Sequence, residues 1–350
     1  MNFLSRYLEK TEFDSYEDFI ANYRLKVPQG FNFGYDIVDG YARECPEKKA
    51  LLRFSIDDDG NSAIEEYIFA QMKDMTDRCA NALRSLGVRK GDAVLMMLKE
   101  KVEVWVVLTA LIKLGAAAIP ATFQLMPEDI VYRCEAASVR LILHVDDEQL
   151  TRHVSDALPE CSTVIGRAVV GDNIPEGAAD LRRMIREASP ELERVPTDND
   201  DTMLMYFSSG TTGMPKLIQH DFTYPLGHIT TARYWQHVED GGRHFTYSDS
   251  GWAKFAWGKS FGQWIAGAEL VTFDVPGRFD PAKLLRMINE VRLTTFCAPA
   301  TVYRYLIKED MSGCDFSSIH HCCTAGEPLN PAVFDRFKEQ TGQEIYEGFG

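Results

Sequence analysis

From about residue 50 onward, short apolar runs alternate with stretches whose apolar residues recur every three or four positions, and this alternation constrains the fold more than any other feature. Runs at 51–54, 64–70, 93–98, 141–145, 203–207, 270–273, 294–298 and 320–325 have the length and composition of buried strands. Between them, Met72, Met75, Cys79, Leu83 and Leu86 mark one face of a helix that stops at Gly87. The run 104–118 reads as a buried helix ending near Gly115, and 281–291 and 331–341 carry further helical patterns. Strands separated by helices are joined by crossovers, so the pattern predicts an α/β fold: a largely parallel sheet with helices on both faces.

With 350 residues, the chain can form two average domains or one large domain of two lobes. The Asp-rich polar run 196–202 is the expected boundary, dividing lobes of about 1–195 and 203–350. The net charge of -15, from 37 basic and 52 acidic residues, repels phosphate backbones and anionic lipid. Neither nucleic acid nor membrane is therefore an expected partner, and an anionic substrate needs a local cradle of donors. No apolar run reaches the roughly 18 residues of a membrane span; 104–118 falls short and is interrupted by Lys113. Glu9, Glu12, Asp14, Glu17 and Asp18 near the start argue against a signal or transit peptide. Eight cysteines without a CxxC pair read as reduced thiols, so a cytoplasmic location is expected. Nothing in the sequence fixes an oligomeric state.

One string carries clear chemistry: Tyr206-Phe207-Ser208-Ser209-Gly210-Thr211-Thr212-Gly213-Met214-Pro215-Lys216. It follows a predicted strand, offers four hydroxyls, and has two glycines that let backbone N–H groups approach an anion. Lys216 adds a mobile positive charge. A Walker loop is ruled out, because Lys216 lies three residues past Gly213 with Pro215 between, and the following Leu217-Ile218 reads as strand. Taken by itself, such a string could also be a polar surface turn.

Two other patterns read as decoys. Gly258-Lys259-Ser260-Phe261-Gly262 matches the G-x-S-x-G elbow of serine hydrolases, with His320 and His321 downstream and Asp274 and Asp280 between. His320-His321-Cys322-Cys323 has metal-ligand residue types, but consecutive strand residues alternate between faces and cannot easily converge on one ion, so strand core is expected.

The phosphate-loop string resembles the signature of the adenylate-forming superfamily: acyl-CoA synthetases, luciferases and peptide-synthetase adenylation domains. Three further stretches agree in order and spacing. Thr324-Ala325-Gly326-Glu327-Pro328-Leu329 resembles the adenine-contacting segment, and Cys297-Ala298-Pro299-Ala300-Thr301-Val302-Tyr303-Arg304 the stretch beside the acyl pocket. Tyr346-Glu347-Gly348-Phe349-Gly350 resembles the opening of a motif that continues with Gln-Thr-Glu. The resemblance covers about 35–350 and is strongest to the medium-chain acyl-CoA synthetases.

It implies the large N-terminal domain of that fold, with two stacked, mostly parallel sheets. It also implies a reaction: carboxylate and ATP give acyl-AMP and pyrophosphate, and coenzyme A then gives the thioester. ATP, Mg2+ and coenzyme A are the implied cofactors, and a small carboxylic acid the implied partner. Ser208, Ser209, Gly210, Thr211, Thr212, Gly213 and Lys216 would hold the phosphates, with Thr211 and Lys216 acting in catalysis. Gly326, Glu327 and Pro328 would line the adenine site, with Glu347 and Gly348 nearby and Phe349 stacking on the ring. Trp252 and Trp257 would lie along the acid site. Gly350 stands where acetate-specific relatives carry Trp, which implies a medium-chain, branched or aryl acid.

No metal ligand is assigned within the chain. The Mg2+-associated Glu, the ribose-binding Asp and the small C-terminal domain with its catalytic Lys would lie beyond Gly350. The expectation is therefore an incomplete AMP-binding domain over 1–350 that catalyses little alone. Two alternatives stay open: an amino-acid or aryl-acid adenylation domain, and a non-catalytic nucleotide-binding module. For the structural readings, Glu327 could instead cap the helix beginning near Pro331, and Phe349 could be core.

Overall fold

A computed structural model describes residues 2–57, 59–208, 215–275 and 277–349. Two seven-stranded sheets form the framework. The first has the order β7-β6-β5-β3-β4-β8-β9, from β3 (Ala93–Met97), β4 (Ala117–Pro120), β5 (Val139–Val145), β6 (Arg167–Val170), β7 (Ala179–Asp180), β8 (Thr202–Ser208) and β9 (Lys216–Asp221). The second has the order β14-β13-β12-β10-β11-β1-β2, from β1 (Lys49–Ile56), β2 (Ser62–Ile68), β10 (Arg243–Thr246), β11 (Glu269–Asp274), β12 (Thr295–Cys297), β13 (His321–Ala325) and β14 (Ile345–Gly348). Only the edge pairs β1–β2 and β8–β9 run antiparallel among these strands. Parallel strands buried on both faces read as unbroken apolar runs, and β3 and β4 are buried along their whole length.

Each sheet draws strands from both sides of the 196–202 run. β1 pairs in parallel with β11, and β8 pairs with β4. The layers are thus interleaved in the chain, and the polar run is tied to the N-terminal segment: Asn199 accepts the Phe31 N–H and donates to the Pro28 carbonyl. A core joining both layers includes Leu51, Leu95, Trp105, Phe255 and Trp264.

The predicted elements are present with small shifts. The helix Phe69–Ser85 takes up the last residues of the predicted 64–70 strand. The helix Val102–Leu114 ends at Gly115 as expected, after which the rest of the 104–118 run enters β4. His320 falls outside β13 and is exposed, whereas Cys322 and Cys323 are core. Among the described residues no helix is long and apolar enough to cross a membrane.

Candidate functional site

The described ends of the phosphate-loop string lie on β8 and beside the start of β9, antiparallel strands that pair Ser208 with Lys216. Ser209, Gly210, Thr211, Thr212, Gly213 and Met214 lie outside the described residues, as does Gly350. The stem is held from the side: Tyr132 Oη donates to the Pro215 carbonyl at 2.7 Å, and the Arg133 guanidinium lies 5.2 Å from the Phe207 ring centre. Ser208 Oγ donates to the Lys216 carbonyl at 3.4 Å, and the Lys216 side chain faces solvent. The described ends of the string thus adjoin strands and not a helix.

Three other predicted stretches gather at the C-terminal end of the second sheet. β13 and β14 are parallel neighbours that pair Thr324 with Glu347 and Ala325 with Gly348. The strand-end location is where ligands bind in open α/β sheets. Gly326 follows with φ +97°, a conformation that favours glycine and turns the chain sharply away from β13. Glu327 does not cap the helix Pro331–Thr341; Asn330 does so, accepting the Ala332 N–H. Instead the Glu327 carboxylate accepts the Thr301 N–H at 2.7 Å and the Thr301 hydroxyl at 2.8 Å, capping the helix Ala300–Leu306, with Arg304 at 3.1 Å. Burial acts to raise this carboxyl, but Thr301, Arg304 and Lys254 together hold it below its ordinary value. Pro328, Glu347 and Phe349 are exposed.

The aromatic segment packs onto this end. Trp257 meets Trp235 with ring centres 5.9 Å apart, and Trp235 in turn lies against Gly348. A Cβ at Gly348 would sit 2.7 Å from the indole, so only glycine permits this approach. Trp252, at 65% exposure, points outward and does not join them. A buried polar network fixes the segment from behind. His244 contacts Thr295 Oγ1 at 2.8 Å, Thr246 Oγ1 at 2.9 Å and the Gly258 carbonyl at 2.8 Å, while Gln236 donates to the same carbonyl at 3.0 Å. Burial pushes His244 down to about 4, so it stays neutral. Sequence reasoning missed Trp235, Gln236 and His244. Their only sequence signal is aromatic and amide residues in a segment that resembles no motif.

A cavity of about 710 Å3 lies beyond the ends of strands from both sheets, lined by Lys99, Lys101, Phe123, Tyr247, Arg278 and Lys283 among others. Among the described residues, none of the predicted site residues lines it. The serine-hydrolase reading fails on geometry: Ser260 is buried between two helices, donates to the Phe255 carbonyl at 3.2 Å, and caps the helix Phe261–Ile265. Among the described residues no group of three His, Cys, Asp or Glu side chains converges as a metal site.

The family model for AMP-binding enzymes matches residues 38–350. The chain is 33% identical over 344 residues to the mitochondrial acyl-coenzyme A synthetase ACSM3 of Mus musculus, covering 97% of this chain and 58% of that protein. It is 32% identical over 334 residues to human mitochondrial acyl-coenzyme A synthetase ACSM5, covering 93% of this chain and 56% of that one. The chain thus spans well under two thirds of the curated relatives it matches. Among solved structures, the anthranilate CoA ligase AuaEII in complex with anthranoyl-AMP superposes with a TM-score of 0.83 at 26% identity, over 93% of this chain and 60% of that one. An acyl-CoA synthetase from Brucella canis superposes with a TM-score of 0.80 at 23% identity, over 92% of this chain and 57% of that one.

Proposed function

The chain belongs to the AMP-binding enzyme family, and from that premise we propose that it forms the nucleotide- and acid-binding part of an ATP-dependent acyl-CoA synthetase. The observation that carries this reading is the gathering of the 324–329 turn, the end of β14 and the Trp257 segment at one sheet end. ATP and a carboxylate would react there: a carboxylate oxygen bonds to the α-phosphorus, the bond to the β-phosphate oxygen breaks, and pyrophosphate leaves. The protein has little covalent work to do, so positioning and charge stabilisation supply the acceleration. In this reading Ser208 through Lys216 hold the phosphates, with Thr211 and Lys216 stabilising the charge that develops. Gly326, Glu327 and Pro328 border the adenine, and the exposed Phe349 ring is free to stack on it. Mg2+ would enter bound to ATP. Coenzyme A would be the second co-substrate.

The acid is read as medium-chain, branched or aryl, from glycine at 350. An aromatic acid also agrees with the anthranoyl-AMP bound to the solved relative. An amino acid is less favoured. Asp249, the acid nearest the aromatic segment, accepts the Gly251 N–H at 2.7 Å and lines the other cavity. A place in fatty-acid metabolism and a cytoplasmic location are part of the same proposal. The location rests on the free cysteines, and the mitochondrial relatives make organelle fractionation its test.

Acid-dependent ATP–pyrophosphate exchange tests the function with acetate, butyrate, octanoate, benzoate and amino acids, in the 350-residue chain and in one extended through a C-terminal domain. Exchange with octanoate or benzoate in the extended chain is expected. Equal or better turnover of acetate sinks the acid assignment, an amino acid moves the protein to the peptide-synthetase branch, and no exchange despite ATP binding leaves a nucleotide-binding module.

A further inference from the structure

Lys254 lies at the junction of the three gathered stretches. Its Nζ donates to the carbonyl of Ala325, the last residue of β13, at 2.5 Å. A Cβ on Gly326 would stand 3.6 Å from the same Nζ, an ordinary contact distance, so the ammonium lies directly beside the turn. One turn on, at i+3, Trp257 begins the aromatic contact that runs through Trp235 to Gly348. Lys254 is half-buried; among the described residues its hydrogen bond goes to that one neutral carbonyl, and the nearby Glu327 carboxylate feels its charge without accepting a hydrogen bond from it.

Other sheltered lysines in this chain are neutralised differently. Lys113 holds Asp39 and Asp77, Lys259 holds Glu100, Lys48 holds Asp240 and Lys99 holds Asp147. Glu327, the carboxylate adjoining Gly326, has both oxygens committed to Thr301 and Arg304. An ammonium with donors to spare, in a chain of net charge -15, is the local attraction that an anionic substrate requires.

We propose that Lys254 binds the reacting carboxylate of the acid, at the point where acid and nucleotide meet. This rests on the adenylation reading above and adds a residue to it. One carboxylate oxygen accepts a hydrogen bond from Nζ. The other stays free to form its bond to the α-phosphorus as pyrophosphate departs. Lys254 takes no covalent part, and its service is to hold and orient the anion. The aromatic contact beyond it would receive the apolar body of the acid.

The test uses whichever of the two chains supports exchange, with octanoate as the acid. Lys254→Met is expected to raise the KM for octanoate about tenfold or more, as loss of a charge-assisted hydrogen bond would, while the KM for ATP moves less than about twofold. Lys254→Arg is expected to restore most of the loss. Calorimetry gives a second readout that needs no turnover. The unaltered protein should bind octanoate far more tightly than octanamide, and Lys254→Met should abolish that difference while melting at the same temperature. An unchanged octanoate KM overturns the proposal, as does a parallel rise in the KM for ATP, which would place the ammonium on the α-phosphate. If no acid supports exchange in the unaltered protein, the adenylation reading fails. The octanoate–octanamide comparison then still decides whether Lys254 binds a carboxylate.

Discussion

Two buried lysines occupy opposite kinds of site in this molecule. Lys113, wholly buried in the helix Val102–Leu114, spends all three of its N–H donors: on Asp39 at 2.5 Å, Asp77 at 2.6 Å and Thr76 at 2.9 Å. It ties together three helical segments, and Asp77 is held again by Lys73. Lys259, equally buried, has a single carboxylate partner, Glu100, whose second oxygen is buried without a hydrogen bond among the described residues. That pair lies between the two sheets on the wall of the 710 Å3 cavity. Trp105, Phe245 and Phe255 surround the ammonium with ring centres 5.3–5.8 Å away. The first site is closed and fully satisfied, and the second keeps an unused acceptor beside open space. A buried ion group whose every hydrogen bond is made locks a structure, whereas a half-satisfied one can trade its proton or partner at lower cost.

The largest expected difference comes from removing the lysine of the closed site. Lys113→Met leaves Asp39 and Asp77 facing each other in a dry core, where Asp39 is already raised by burial against the pull of Lys113. A loss of about 3–5 kcal/mol is expected from breaking such a group, read from denaturant unfolding. A loss below about 1 kcal/mol would erase the distinction between the sites.

Glu100→Gln should cost less, about 1–3 kcal/mol, because three aromatic faces remain to receive the Lys259 charge. It should also change the pH profile. Burial pushes the Glu100 carboxyl up to about 7, against the attraction of Lys259. An unfolded Glu titrates near 4.3, so between these values the folded protein holds a proton that the unfolded chain releases. The stability this contributes is complete at low pH and is lost as pH rises through about 7. Melting temperatures from pH 5 to 8 should therefore carry a falling component that Glu100→Gln removes. An identical profile in the variant would show that Glu100 is not its source.

The same contrast shows what the sequence could disclose. Lys113 is visible as a lone charge in an apolar run, but its partners at 39, 76 and 77 come from two other segments. Strands whose residues are all apolar, such as β3, were legible. β10 was not, because its Arg243 and His244 are made acceptable by Glu269, Thr295 and the Gly258 carbonyl, all remote in sequence. β4 was hidden inside the run read as one helix, since a buried strand and a buried helix share the same apolar composition. The motif stretches were readable one by one, but their meeting depends on the β13–β14 pairing and on the packing of Trp235 against Gly348. Lys254 stood in plain view between two tryptophans, and only its distance to Ala325 marks it for a role.

The smallest expected effect is also the sharpest test of the contrast. Combining Glu100→Gln with Lys259→Met removes both charges of the open pair, and the glutamine amide can turn toward cavity water. The double variant should come back to within about 1 kcal/mol of the original protein, because replacing a buried pair by neutral groups is often near neutral whereas removing one partner is not. Each single substitution should look worse than the double, a positive coupling that a four-way cycle measures. The closed site should refuse the same repair. With Lys113→Met and Asp39→Asn together, Asp77 still keeps its Lys73 contact, while Thr76 and one Asp77 oxygen have lost their donor. Less than half of the loss should return. If both double variants recover equally, satisfaction of hydrogen bonds does not separate the two sites, and the position of the second beside the cavity carries no energetic meaning.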